Sequence, residues 1–292
     1  MLGLTPEEQR EADRLAAERK WESLTLMDNF IFQKTMQSNP DLCRELCEKI
    51  LGRSIHHITF PETEKTVQLR RDSRSVRLDV YLMDDLDHAI VLEMQTKNRE
   101  FLPKRVRYYQ SLIDLDFLER GQDYETLNES TIVFICSFDP FDNGLPVYTF
   151  RNVCAEDAAL ELGDGTSKIF LNIKTKEKKA TDEKEKIDVK AMEDRNKELK
   201  PFFDYLCGRP TEDDFVKRLD EAVQKVKSNE KWRLDYVMYD LEMRDREREA
   251  VDSALTRAVR NLMQTKNWTA KDAMDALLIP PTKQAVFAPL LA

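Results

Sequence analysis

Residues 77–95 read RLDVYLMDDLDHAIVLEMQ, two alternating runs joined by a short acidic turn. Successive side chains of a strand point to opposite faces. Folded as an antiparallel hairpin centred on Leu86, the stretch sets Asp79 opposite Glu93 and Arg77 opposite Gln95. One face then carries Val76, Leu78, Val80, Leu82, Ile90, Leu92 and Met94, all apolar. The other carries Arg77, Asp79, Tyr81, Val91, Glu93 and Gln95. Directly opposed residues bring their Cβ atoms to about 4.5–5.5 Å, where like charges destabilise the pair. A cation between the two acids removes that repulsion. A one-residue slip would put the acids on opposite faces, and a hairpin with one polar, solvent-facing side is the other reading of the same residues.

Charge concentrates on both sides of this hairpin. From Lys65 to Arg77 there are five basic residues against the single acid Asp72, and from Lys97 to Arg107 five more against Glu100. The chain as a whole has a net charge of −9, which by itself argues against a nucleic-acid partner. A basic rim around an acidic centre nevertheless suits a polyanion lying across a bound cation. Two solvated loop segments explain the same composition. Asp84, Asp85 and Asp87 form a further acidic group, but they occupy the turn, where aspartate is common for backbone reasons.

Outward from the hairpin the pattern is regular. Leu26, Phe30, Ile31 and Lys34 give a helical stripe, and DLCRELCEKILG continues helically until Gly52. HHITFPETEKTVQL reads as extended, broken by Pro61. After the hairpin, Pro103 opens a helix with Val106, Tyr109, Ile113 and Phe117 on one face and Gly121 as its end. STIVFICSF, residues 130–138, is an unbroken apolar run, expected of a strand buried on both faces. VYTFRNV and KIFLNIK supply the last strands. Helix, strand, hairpin, helix, buried strand and hairpin together predict an α/β fold, a mixed central β-sheet flanked by helices. The expected organisation is a polar helix over 1–20, a core over 21–175, and a charged linker followed by a helical C-terminal region over 176–292. Its closing stretch has the pattern of a small helix pair capped by Asn267 or Thr269, as common in helical domains as in DNA readers.

Composition excludes several classes. With 41% hydrophobic and 35% charged residues the chain is globular rather than disordered. It lacks an N-terminal signal-peptide pattern and any bilayer-length apolar run, so the expectation is a soluble, cytoplasmic protein with no membrane partner. The five cysteines include no CxxC pair and read as buried free thiols, and the three histidines offer no ligand set. Tyr81, Tyr108 and Tyr109 read as core packing.

Hydrolysis of a phosphodiester needs the phosphate charge neutralised and a water made nucleophilic. Carboxylates holding Mg²⁺ can supply both. Asp79 and Glu93 are the candidate metal ligands, and Gln95 on the same face could orient the water or a phosphate oxygen. At these residues the sequence resembles the PD-(D/E)XK nuclease superfamily, whose acid on one strand and E-x-K on the next correspond to Asp79 and to Glu93-Met94-Gln95. More narrowly it resembles the Rpn group of recombination-promoting nucleases and transposases, through MDNFIFQKTM, RLDVYLMDD, AIVLEMQ, the helix from Arg105 to Tyr109, and IVFICSFDPF followed by LPVYTF. The resemblance covers roughly residues 22–175.

It implies a restriction-endonuclease-like core and a divalent-metal-dependent bacterial DNA endonuclease tied to recombination or mobile elements, with Asp79, Glu93 and Gln95 catalytic. Mg²⁺ is the expected cofactor, with Mn²⁺ or Ca²⁺ as alternatives of similar ligand taste. Gln95 stands where the superfamily usually has lysine, a form that resembles a variant within this group. Gln carries no positive charge, so Arg105 or Lys97 is the candidate replacement cation. Arg77, Lys97, Arg105 and Arg107 are candidate DNA or phosphate contacts, although helix-surface salt bridges would explain Arg105 and Arg107 nearly as well. Asp28 is the candidate extra acid on the first helix of the core. Cutting both strands would favour a homodimer. The rival readings are a DNA-binding remnant that has lost catalysis, and an interaction scaffold built on the C-terminal helices.

Overall fold

The computed structural model describes residues 5–61, 78–98, 101–118, 123–175 and 189–291. Arg77, the basic run over 65–77, the expected helix end at Gly121 and most of the charged stretch after Lys174 lie outside them. By its contacts the chain divides into two compact units, residues 24–228 and residues 1–23 with 229–292.

The larger unit is built on the hairpin. Its strands are β1 (Ile58–Thr59), β2 (Val80–Asp84), β3 (Ala89–Gln95), β4 (Ser130–Cys136), β5 (Val147–Phe150) and β6 (Thr166–Asn172), in the spatial order β1-β2-β3-β4-β6-β5. Val80 pairs with Leu92, Tyr81 with Val91, Leu82 with Ile90 and Met83 with Ala89, the register that the alternation predicts. β3, β4 and β6 are mutually parallel, while β1, β2 and β5 run antiparallel to their neighbours.

The parallel step from β3 to β4 is made through helix α4 (Leu102–Phe117), consistent with the need of parallel strands for a crossover. Every residue of β3 and β4 is buried. On one face Ala89, Val91, Ile132, Phe134 and Phe170 pack with Val106, Tyr109 and Ile113 of α4. On the other, helix α2 (Asn29–Ser38) lies against β2 and β3. The helices α3 (Pro40–Leu51), α5 (Val189–Leu206) and α6 (Asp214–Lys227) complete that layer. Each Leu, Ile or Val taken from water there contributes about 1.5–3 kcal/mol before conformational entropy is set against it.

Three details differ from expectation. The face carrying the acids is not solvent-facing, because α4 covers it. Helix α4 opens at Leu102, after Phe101 in a left-handed conformation (φ 73°), and has already ended at Phe117. Residues beyond Lys174 do not all separate from the sheet: Leu199, Phe202, Phe215 and Leu219 of α5 and α6 are buried within the larger unit, their apolar stripes closing over α2 and α3.

The smaller unit pairs α1 (Pro6–Ser23) with α7 (Glu230–Lys266). Trp21 meets Tyr236 with ring centroids 5.5 Å apart, and the buried Asp240 is paired by Lys20 at 2.8 Å and Arg244 at 2.6 Å. Val259, Ala273, Met274, Ile279 and Phe287 join the end of α7 to α8 (Ala270–Ala276) and α9 (Pro281–Leu291). Thr269 and Asp272 form the capping box that starts α8. Among the described residues, no helix is long and apolar enough to cross a membrane.

Candidate active site

β2 begins at Val80, and one residue earlier the ladder gives way to bonds between main chain and side chain. The Asp79 amide donates to Glu93 Oε1 at 2.9 Å, and the Met94 amide donates to Asp79 Oδ2 at 3.0 Å. The two acids therefore face each other across the strand pair and are tied in place by each other's backbone. Asn29 in the first turn of α2 donates from Nδ2 to Asp79 Oδ1 at 2.9 Å.

Helix α4 closes the other side with a single residue. Arg105 donates from Nη2 to Glu93 Oε2 and from Nη1 to Gln95 Oε1, both at 2.9 Å, and from Nε to the Tyr109 hydroxyl at 2.7 Å. Its guanidinium also lies 5.0 Å from the Tyr109 ring centroid and 5.4 Å from that of Phe134, an arrangement that holds a cation over aromatic faces. Gln95 Nε2 donates to the Met94 carbonyl at 2.8 Å.

Burial makes this charge pattern expensive. Glu93 is 1% exposed and Asp79 9%. Loss of water, followed by the charge of Asp79, pushes the Glu93 carboxyl up to about 8, while the Asp79 amide and Arg105 pull the other way. The Tyr109 phenol is also pushed up to about 12, by burial first and then by the charge of Glu93. With both acids ionised, one guanidinium faces two carboxylates.

The donor set fits a hard divalent cation. Two carboxylates are oxygen ligands of the kind Mg²⁺ takes, and an ion held by so few protein groups would keep coordination positions for water and substrate. Among the described residues, no group of three or more His, Cys, Asp or Glu side chains that could hold a metal ion gathers.

Of the residues singled out in the sequence, the structure brings together Asp79, Glu93, Gln95 and Arg105. Asp28 precedes α2 and accepts from the Thr25 amide at 2.9 Å; its neighbour Asn29 makes the bond to Asp79. Lys97 and Arg107 are exposed, and the hydrogen bonds of the cluster do not include them. Arg77 lies outside the described residues. Sequence reasoning missed Asn29 and Tyr109. Tyr109 was legible as the i+4 neighbour of Arg105 on a helix, whereas nothing in the sequence ties Asn29 to a residue fifty positions away.

The family model described as PD-(D/E)XK nuclease family transposase matches residues 29–254. No curated protein and no solved structure matches the chain.

Proposed function

The chain belongs to the PD-(D/E)XK nuclease family transposases, and from that premise we propose that it is a divalent-metal-dependent DNA endonuclease acting in recombination or mobile-element contexts. The observation that carries the reading is the buried Asp79–Glu93 pair, with Arg105 bonded to both Glu93 and Gln95. Asp79 and Glu93 would hold Mg²⁺ or Mn²⁺. A cation bound there would neutralise phosphate charge and make a bound water acidic enough to act as nucleophile.

The remaining roles follow from donor counts. Gln95 uses its amide oxygen on Arg105 and its amide nitrogen on Met94, so it is a positioning residue that aims Arg105. Guanidinium has five N–H groups, and three are used on Glu93, Gln95 and Tyr109. Two are left for a phosphate oxygen. Arg105 thereby supplies the positive charge that lysine would bring in the more usual motif. Lys97, Lys104 and Arg107, exposed nearby in sequence, would contact flanking phosphates, and a homodimer would serve double-strand cutting.

One observation favours a second reading, a catalytically silent DNA binder. All four carboxylate oxygens of Asp79 and Glu93 already accept a hydrogen bond from the protein. A carboxylate has about four lone-pair sites, so these bonds do not exhaust it. Incubating wild type and Asp79→Asn with supercoiled plasmid, with and without Mg²⁺ or Mn²⁺, separates the two. Metal-dependent nicking lost in a folded Asp79→Asn supports the nuclease; salt-dependent DNA binding with no cutting in either metal supports the silent binder.

A further inference from the structure

The larger unit contains a cavity of about 630 Å³ lined by residues from the hairpin turn, the starts of β4 and β6, the end of β5 and helix α5. Thr131, Ser167, Thr149 and Ile169 line it. Val91, Ile132, Phe134 and Phe170, of the opposite alternation, pack under α4. Glu93 and Gln95 lie at the C-terminal end of β3, while the cavity opens at the N-terminal ends of its parallel neighbours. It is therefore on the opposite face and at the opposite end of the sheet from the carboxylate pair.

Two features of its lining are unspent hydrogen-bond donors. Arg195 of α5 is half-buried and reaches Thr149 Oγ1 with Nη1 at 3.4 Å, while its Nε is buried with no partner. Among the described residues no carboxylate pairs with it, in contrast to Arg53, held by Asp84, and Arg151, held by Glu161 at 3.0 Å. Burial and the nearby Arg151 charge push the Arg195 pKa down. Among the described residues, a cation in that position lacks a counter-ion.

The second donor comes from a chain of bonds whose direction is fixed at one end. Arg53 can only donate, so His88 Nδ1, 2.9 Å from its Nη2, accepts. The ring proton then sits on Nε2, which donates to Thr131 Oγ1 at 2.9 Å. Thr131 and Ser167 share one bond at 2.6 Å. Two hydroxyl hydrogens serve that one bond, so one is left over whichever way it points, and no acceptor among the described residues takes it. The acids nearby are engaged or solvated: Asp164 accepts from Asn152 and Thr166, and Glu129 is exposed.

A guanidinium with no carboxylate partner among the described residues and a spare hydroxyl hydrogen in one cavity call for an acceptor-rich anion. Ser167 and Thr149 are diagonal neighbours on paired strands, about 7–8 Å apart, a gap that one phosphate group can bridge. Leu51, Leu86 and Ile169 offer apolar surface for the rest of a molecule, and the volume lies within the range of small-molecule sites. We propose that this cavity binds an organic phosphate of up to mononucleotide size, its phosphate between Arg195 and Ser167 and its organic part against Leu51, Leu86 and Ile169. The proposal does not rest on the nuclease reading.

Isothermal titration of the full chain in EDTA tests it, with adenosine monophosphate, inorganic phosphate, adenosine and a 5′-phosphorylated oligonucleotide as probes. The expected result is that adenosine monophosphate binds, that adenosine does not, and that inorganic phosphate binds more weakly. Affinity should fall at least tenfold both in Arg195→Met, which keeps the apolar stem, and in Ser167→Ala, which leaves the charge intact. The oligonucleotide arm identifies the source: binding through the same two residues would make a DNA end the carrier of the phosphate, and its failure would make the ligand a free metabolite. The proposal is overturned if no phosphate compound binds at millimolar concentration, if adenosine binds as well as its phosphate, or if folded Arg195→Met and Ser167→Ala both bind like wild type.

Discussion

The two ends of one hairpin treat a buried acid in opposite ways. At the turn, Asp84 has a fully buried side chain. Burial pushes its carboxyl up, yet Arg53 and the His88 and Leu86 amides together outweigh that and hold it below its ordinary value. At the open end, Glu93 is also buried and has a guanidinium and an amide, but its carboxyl rises to about 8. The difference is desolvation first and charge count second: Glu93 loses more of its water than Asp84 does, and it also has a second acid beside it. Arg53 answers one carboxylate, while Arg105 answers Glu93 with Asp79 directly opposite. A closed charge balance makes the turn a structural joint, whereas the other end falls one positive charge short once both acids are ionised, which is where the proposed cation would act.

The sharpest way to break this comparison is to neutralise an acid at each end. Glu93→Gln should remove metal-assisted cleavage, several kcal/mol of transition-state stabilisation or on the order of 10³ in rate, while the variant stays folded. Plasmid nicking beside a thermal melt reads both quantities. Full activity in a folded Glu93→Gln would move the site elsewhere. Asp84→Ala should do the reverse. It leaves Arg53 and two amides without their acceptor, costs about 3–5 kcal/mol of stability, and spares metal-dependent cleavage by the fraction still folded. Denaturant melts check it, and an unchanged midpoint would mean that the turn is not the closed joint it resembles.

Arg105 sharpens the comparison from the side of the cation. Arg105→Lys keeps the charge but has three donors on one nitrogen, which cannot span Glu93, Gln95 and Tyr109 in the fixed fork of guanidinium. Cleavage should fall about 10–100-fold, the usual range for residues that orient a metal site, with a smaller change in stability. Arg105→Met should lose more. If Arg105→Lys cuts like wild type, Arg105 acts through charge alone and Gln95 does not aim it.

The hairpin and its register were legible because a period of two is strict: once Leu86 is taken as the centre, every pairing from Val80 to Ala89 follows. β4 was legible for a different reason, as an unbroken apolar run of the kind a strand buried on both faces requires. What stayed hidden was burial of the acidic face. Alternation places Asp79, Glu93 and Gln95 together but cannot say that α4 will cover them. Nor could local pattern reveal that Asn29 reaches Asp79, or that α5 and α6 belong with the sheet. Contacts between distant segments are set by tertiary packing and leave no periodic trace. Arg195 is the extreme case, one arginine in a charged helix that, among the described residues, no carboxylate pairs with, a fact that exists only in three dimensions.

The smallest expected effect is the most direct measure of the missing charge. In the fold Glu93 holds its proton up to about pH 8, whereas an ordinary glutamate releases it near 4.5. Between those values the folded state binds more protons than the unfolded one, so stability falls as pH rises. The contribution of Glu93 is whole below its ordinary pKa and lost as pH passes through the folded one. Asp84 has the opposite sign, its contribution present above its ordinary pKa and lost only in acid. In EDTA, melting temperature should therefore decline between pH 6 and 9 by a few degrees, and Glu93→Gln should flatten that decline because it cannot ionise. Adding Mg²⁺ should restore wild type more at pH 9 than at pH 6, since the cation binds the ionised carboxylate by displacing the proton. A wild-type profile that Glu93→Gln leaves unchanged, or a Mg²⁺ effect equal at both pH values, would mean that Arg105 and the surrounding amides already balance the pair, and the two ends of the hairpin would then be alike.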